Sequence, residues 1–309
     1  MTEKASSPLG LSVLALLFNA LVWGVSWWPF KVLEAQGLHP LWATALVYGL
    51  SLAVIWLMQP QATRGWQQHP WLWLLVLASG LTNIGFNWAV TIGDVLRVVL
   101  LFYLMPAWSI LIAWWLLGER PTRMAGVRLV LALSGVALIL KRPDTPWPLP
   151  ESMADGLALM GGFCFALTNA LLRKLHDSPE PARMLAMFGG GTLMATLTAM
   201  AGVAWGFMAT FPPISSEWAP QVLLLSLAFL LGNMALQYGA ARLSAQTTAL
   251  VMLSEIVFAS VSSIWWGNAQ WNYQTLWGGS LIVCAAILSI WPSSRHTQDS
   301  TTRHPQGST

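Results

Sequence analysis

Apolar stretches of about twenty residues, nearly free of charge, follow one another along the whole chain, and this leaves it few places to fold other than a bilayer. A helix that crosses the hydrocarbon core needs about 20 such residues. The 309-residue chain therefore has room for about ten crossings with short connections and no extramembrane domain. Charged residues make up only 9% of it, against roughly 25% in a soluble domain. Its 20 tryptophans stand beside only 4 tyrosines, and indole rings gather where apolar core meets wet interface.

Reading between the charges gives spans near 10–32, 41–58, 71–92, 95–117 and 123–141, then 154–175, 183–206, 220–241, 246–267 and 275–291. The fold expected is an all-α membrane protein of about ten transmembrane helices, arranged as two inverted five-helix repeats. Pro143, Pro146, Pro148 and Pro150 forbid helix between the two sets and make an extended connector. The units expected are residues 1–146, residues 147–292, and a polar, disordered cytoplasmic tail over 293–309. The N-terminal apolar stretch is too long for a signal-peptide core and has no clear cleavage site, so it stays attached as the first span.

The net charge of +3 comes from basic residues scattered singly, which form no patch to track phosphates, and no nucleic acid is expected. They serve as a topology signal instead. With the N-terminus inside, the cytoplasmic connections hold Lys4, Arg64, Arg120, Arg123, Arg173, Lys174, Arg183, Arg242, Arg295 and Arg303. The other side holds Lys31, Arg97, Lys141 and Arg142, so both termini are expected in the cytoplasm of an inner-membrane protein. Cys164 and Cys284 lie in apolar runs as small hydrophobes and imply neither disulfide nor zinc.

The two sets of spans resemble each other. A shift of 150 places Asn83 on Asn233, Asn87 on Gln237, Trp88 on Tyr238 and Trp115 on Trp265, and a shift of 142 places Ser26 on Thr168. Five spans per set is an odd number, so the second set sits upside down, an arrangement found in transporters whose substrate site lies near the midplane.

The run from Leu104 through Pro106 and Trp108 to Gly118-Glu119 resembles the fourth-span pattern of the drug/metabolite transporter superfamily, in its EamA-like ten-helix branch. Ser254-Glu255-Ile256 through Ser260 resembles the matching ninth-span pattern, with two departures: Ile256 stands where proline is usual, and Gly267-Asn268 where Gly-Glu closes the span. The resemblance implies a secondary transporter, often an exporter of amino acids or other small metabolites, and does not name the substrate.

Glu255 is the one carboxylate expected mid-span. Placing an acid at a helix centre costs about 2.5 to 3.5 kcal/mol on insertion scales, so it needs a partner, a proton or a water-filled cavity. It is a candidate for proton coupling or for the counter-charge to a substrate amine; the bland alternative is a protonated acid bonding helix to helix. Asn83 and Asn87 share one helical face, and Asn233 with Gln237 repeat the spacing. Such amides could hold a polar ring or zwitterion, or act as interhelical glue at about 0.6 kcal/mol per bond. Asn19 and Asn169 are weaker candidates.

Trp23 and Trp27 lie one turn apart, and Tyr103 precedes by two residues the counterpart of Glu255, Met105; with Tyr238 these are the aromatic candidates for substrate contact. Pro106 breaks the ladder of the fourth helix and is a candidate hinge. Asp94 and Arg97, three apart, are expected to pair at the outer end of that span, as a gate or as a solvated interfacial pair.

An enzyme is disfavoured because His39, His69, His176, His296 and His304 all lie in connections or tails, and because a single mid-membrane acid makes no catalytic pair. A channel would show a filter motif or charged ring, and none is visible. The expectation is a carrier of small metabolites, free of cofactors and metal, with lipid, substrate and protons as partners, monomeric or homodimeric. Export is the direction the resemblance favours, with uptake or drug efflux as alternatives.

Overall fold

The computed structural model describes residues 8–63, 66–118, 123–141, 150, 152–240, 242, 251–252, 254–267 and 272–290. Among them lie twelve helices and no strand: α1 (Pro8–Val25), α2 (Trp27–Ala35), α3 (Pro40–Met58), α4 (Trp71–Ile92), α5 (Val95–Phe102), α6 (Met105–Leu117), α7 (Arg123–Leu140), α8 (Met153–Lys174), α9 (Glu180–Ala204), α10 (Ala219–Ala240), α11 (Ser254–Gly267) and α12 (Tyr273–Ile290). Seven stretches are long and apolar enough to cross a membrane: Gly10–Ala35, Pro40–Met58, Trp71–Ile92, Val95–Leu116, Met153–Lys174, Glu180–Ala204 and Ala219–Leu236. The protein is an all-helical membrane protein, and its helices follow the spans read from the sequence. The tail and the first part of the ninth span lie outside the described residues.

Local chemistry sets the helix ends. His39 precedes Pro40 at the first turn of α3, and its ring Nδ1 accepts from the Leu41 N–H at 3.2 Å. Burial lowers the pKa of this imidazole and so favours the neutral ring that this acceptor role requires. Asp94 caps α5 by accepting from the Arg97 N–H at 2.8 Å, and Ser152 caps α8 in the same way with the Asp155 N–H at 3.0 Å. Gly118 ends α6 at φ 69°, a left-handed turn that favours glycine.

The fourth span is interrupted where the sequence pointed. Pro106 has no N–H to give the Phe102 carbonyl, and the chain turns at Tyr103-Leu104 before α6 restarts with Pro106 in its first turn. Gly162 of α8 admits this irregular backbone, since a Cβ there would run into the Phe102 carbonyl. The first span also has a joint, at Ser26, whose Oγ donates to the Trp23 carbonyl at 2.8 Å.

Packing joins the two halves of the chain throughout. α4 lies between α8 and α9, α3 packs on α9 and α10, α1 on α10 and α11, α6 on α8, and α7 on α12. These pairings come in matched sets when each span is exchanged with the one five positions away. Thus α4 on α8 answers α1 on α10, α4 on α9 answers α3 on α10, and α6 on α8 answers α1 on α11. Large apolar side chains face outward along the helices, among them Leu57 (72% exposed), Trp115 and Trp265 (each 76%), as surfaces bathed in lipid require.

Close approach is needed where α1 meets α11. A Cβ on Gly24 would stand 2.7 Å from the Phe258 Cβ and 2.8 Å from the Glu255 carbonyl oxygen, both backed by helix backbone. Gly24→Leu is therefore expected to force the two helices apart and lower stability by about 1–3 kcal/mol or more. Thermal unfolding of the purified protein checks this, and an unchanged midpoint would contradict it.

Candidate functional site

A cavity with about 130 Å³ open to the centres of water molecules lies at mid-depth, where α1, α3, α4, the α5–α6 break, α8, α9, α10 and α11 converge. Eight of its eighteen lining residues are aromatic. Trp23 stacks on Phe229 with ring centroids 4.7 Å apart, and Phe86 meets Phe102 edge-on at 4.9 Å. Phe102 also approaches Phe165 at 5.5 Å, while Tyr48 lies 5.7 Å from both Phe188 and Phe229. Such pairs hold rings in fixed orientation and leave a shaped apolar wall.

The polar groups sit among these rings. Asn19 donates through Nδ2 to the Gly232 carbonyl at 2.8 Å, tying α1 to α10. Tyr48 Oη donates to Asn83 Oδ1, and Asn83 Nδ2 donates to the Ser79 carbonyl at 2.8 Å. The Tyr103 hydroxyl and the Glu255 carboxyl are hydrogen-bonding partners, which joins the α5–α6 break to the first turn of α11. Thr168 and Asn233 complete the polar lining together with Ser79 and Thr82.

Of the sequence candidates, Trp23, Asn83, Tyr103, Asn233 and Glu255 line this cavity. Trp27, expected beside Trp23, does not. It is 2% exposed, and its Nε1–H donates to Ser262 Oγ at 2.9 Å, which uses the indole to fasten α2 to α11. Asn87 is fully buried and is not among the lining residues; its Nδ2 donates to Thr44 Oγ1 at 3.1 Å, one turn along the same α4 face on which Asn83 accepts from Tyr48 of α3. Tyr238 faces the end of α10, with the Arg242 guanidinium 3.8 Å from its ring centroid. The side chain of Gln237 lies outside the described residues.

The expected ion pair of Asp94 with Arg97 is also corrected. Asp94 serves the α5 backbone as a cap, whereas the Arg97 side chain crosses to α8. Its Nε donates to Asp155 Oδ1 at 2.7 Å and its Nη2 to Asp155 Oδ2 at 2.9 Å, a bidentate fork, while Nη1 donates to the Ile139 carbonyl at 2.7 Å. One guanidinium thus binds α5, α7 and α8 at the face opposite the start of α1.

Tyr48, Phe86, Phe102, Phe165, Phe188 and Phe229 are six of the eighteen residues that line the cavity, and none of them stands out in the sequence. Their spacing carries no signal, since lipid-facing and cavity-facing phenylalanines are equally apolar. Asn19 and Thr168 were visible as polar residues within spans, Thr168 as the counterpart of Ser26. Among the described residues no cluster of three or more His, Cys, Asp or Glu side chains could hold a metal ion.

Helices crossing a bilayer around a cavity of mixed polarity define a class of solute-handling membrane proteins. Residues 10–141 match the model of the EamA-like transporter family, which places them in the drug/metabolite transporter superfamily. No curated protein matches the chain. Fifteen chains of solved structures do. One of them, described only as "Crystal structure of protein", superposes with a TM-score of 0.56 at 20% identity over 90% of this chain and 96% of its own, a likeness of fold.

Proposed function

We propose that the protein is a secondary carrier that moves a small amphipathic metabolite across the inner membrane by exposing the central cavity to each side in turn. The observation that carries this reading is the cavity itself. It holds an acid, amides, hydroxyls and a ring of aromatics at mid-depth, where burial of such groups has a cost that packing alone does not call for.

Two inverted five-helix repeats, over 1–146 and 147–292, form the framework. The matched packing pairs support this, as do Trp115 and Trp265, exposed near the ends of α6 and α11 at positions 150 apart. The face at which α1 begins is cytoplasmic, as the excess of basic residues in its connections indicates. On α8, α9 and α10 the cavity-lining residues Thr168, Met187, Asn233 and Leu236 lie in the half nearer that face. Buried Trp27, Phe30 and Leu33 and the Arg97–Asp155 pair close the opposite side.

This is a geometry from which an exporter loads. Opening outward requires the Arg97 fork to part from Asp155 and the fourth span to flex at the break before Pro106. Glu255 provides the site at which a proton or a cationic group is held.

Filling the cavity tests the reading. Asn233→Trp is expected to abolish saturable solute flux in proteoliposomes while the purified protein stays monodisperse. Saturable flux that survives the substitution would show that the solute takes another route.

A further inference from the structure

We propose that the cavity selects an organic monocation, an ammonium group on an aromatic or aliphatic body that carries no carboxylate. The proposal rests on the reading of this cavity as the substrate site and narrows it to one class of solute.

The protein leaves particular hydrogen-bonding valences open in the cavity. The donors that line the cavity are largely spent within the protein. Asn19 Nδ2 is held by the Gly232 carbonyl, Asn83 Nδ2 by the Ser79 carbonyl, the Tyr48 hydroxyl by Asn83, and the Tyr103 hydroxyl partners Glu255. Asn19 Oδ1 is buried without a partner, and so is Thr168 Oγ1, on residues only 1% and 2% exposed. A carboxylate accepts through both oxygens, so Glu255 keeps accepting capacity beyond its bond to Tyr103. What remains open is therefore an amide oxygen and a carboxylate, which only accept, and a hydroxyl that can accept or donate.

A ligand that completes the amide oxygen and the carboxylate must bring donors, and an ammonium brings three with a positive charge. Glu255 carries the only carboxyl group among the described lining residues, and no lysine, arginine or histidine stands there. A substrate carboxylate would find no cation to meet it and would stand beside a like charge. The stacked Trp23 and Phe229 and the adjoining Phe86 offer ring faces that suit both an apolar body and a cation.

Three solutes with the same ring and chain separate the possibilities: 2-phenylethylamine, phenylalanine and 2-phenylethanol. Their binding to the full-length purified protein is measured by calorimetry, and their competition by flux in proteoliposomes. The amine is expected to bind about tenfold or more tighter than either analogue. Glu255→Gln is expected to bring the amine down to the level of the alcohol, and Glu255→Asp to restore its preference. The alcohol has no charge to lose, and its binding reports that the cavity persists in each variant.

Phenylalanine binding as tightly as the amine, an amine preference that survives Glu255→Gln, or failure of all three to bind would each overturn the proposal. If another solute then shows saturable flux that Asn233→Trp abolishes, the carrier reading stands and only the solute class falls. If no solute does, both fall.

Discussion

Asp155→Asn is expected to destabilise the purified protein by about 2–3 kcal/mol, because it takes from the Arg97 guanidinium the buried carboxylate of its bidentate fork. Asp155 is 1% exposed and Arg97 21% in their side chains, and the two are joined by a bidentate fork rather than a single contact. Part of the cost lies in a guanidinium left facing a neutral amide, so removing both charges is expected to recover some of it. The double variant Asp155→Asn, Arg97→Gln is accordingly placed between the single variant and wild type in thermal unfolding. Single and double variants that unfold together, or an Asp155→Asn change below about 1 kcal/mol, would show a solvated pair of the kind that contributes little.

The second large effect is on transport. Glu255→Gln is expected to slow solute flux about a hundredfold, the equivalent of ~3 kcal/mol, the upper range for a hydrogen bond to a charged group. The substitution keeps size and one acceptor but removes the charge and the site for a proton. Tyr103→Phe, which removes only the hydroxyl partner of Glu255, is expected to cost less, about tenfold. Flux assays in proteoliposomes at matched protein density measure both. Wild-type flux in Glu255→Gln would make this carboxyl a structural group bonding α11 to the fourth span.

The two effects lie on different links between sequence and function, and the sequence exposed them unequally. Spans were legible because about twenty apolar residues between charges admit one structure in a bilayer. The interruption of the fourth span could be read from Pro106, whose missing N–H acts on its own chain. Glu255 could be read because an acid among apolar residues is conspicuous. The partner of Arg97 could not, since Asp155 belongs to another helix and the nearer Asp94 offered a plausible pair that the α5 backbone in fact occupies.

The neighbours of Asn87 and Trp27 are hidden from the sequence for a related reason. Periodicity assigns residues to a helical face, but which neighbour fills that face depends on packing between helices remote in sequence, here Thr44 of α3 and Ser262 of α11. In a soluble protein the apolar stripe of a helix points to the core. In a membrane the outward face is apolar as well, so Phe229 of the cavity wall and Leu223 facing lipid read alike.

A carrier of this kind serves both sides of the membrane with one cavity, and counterflow tests that property most directly. Proteoliposomes preloaded with unlabelled solute are diluted into a trace of the labelled compound, and its internal concentration is followed. Transient accumulation of label above the external level is expected, accelerated by the solute inside and absent in Asn233→Trp. Label that only equilibrates, at a rate indifferent to the internal solute, would mean a continuous pore and contradict alternating access.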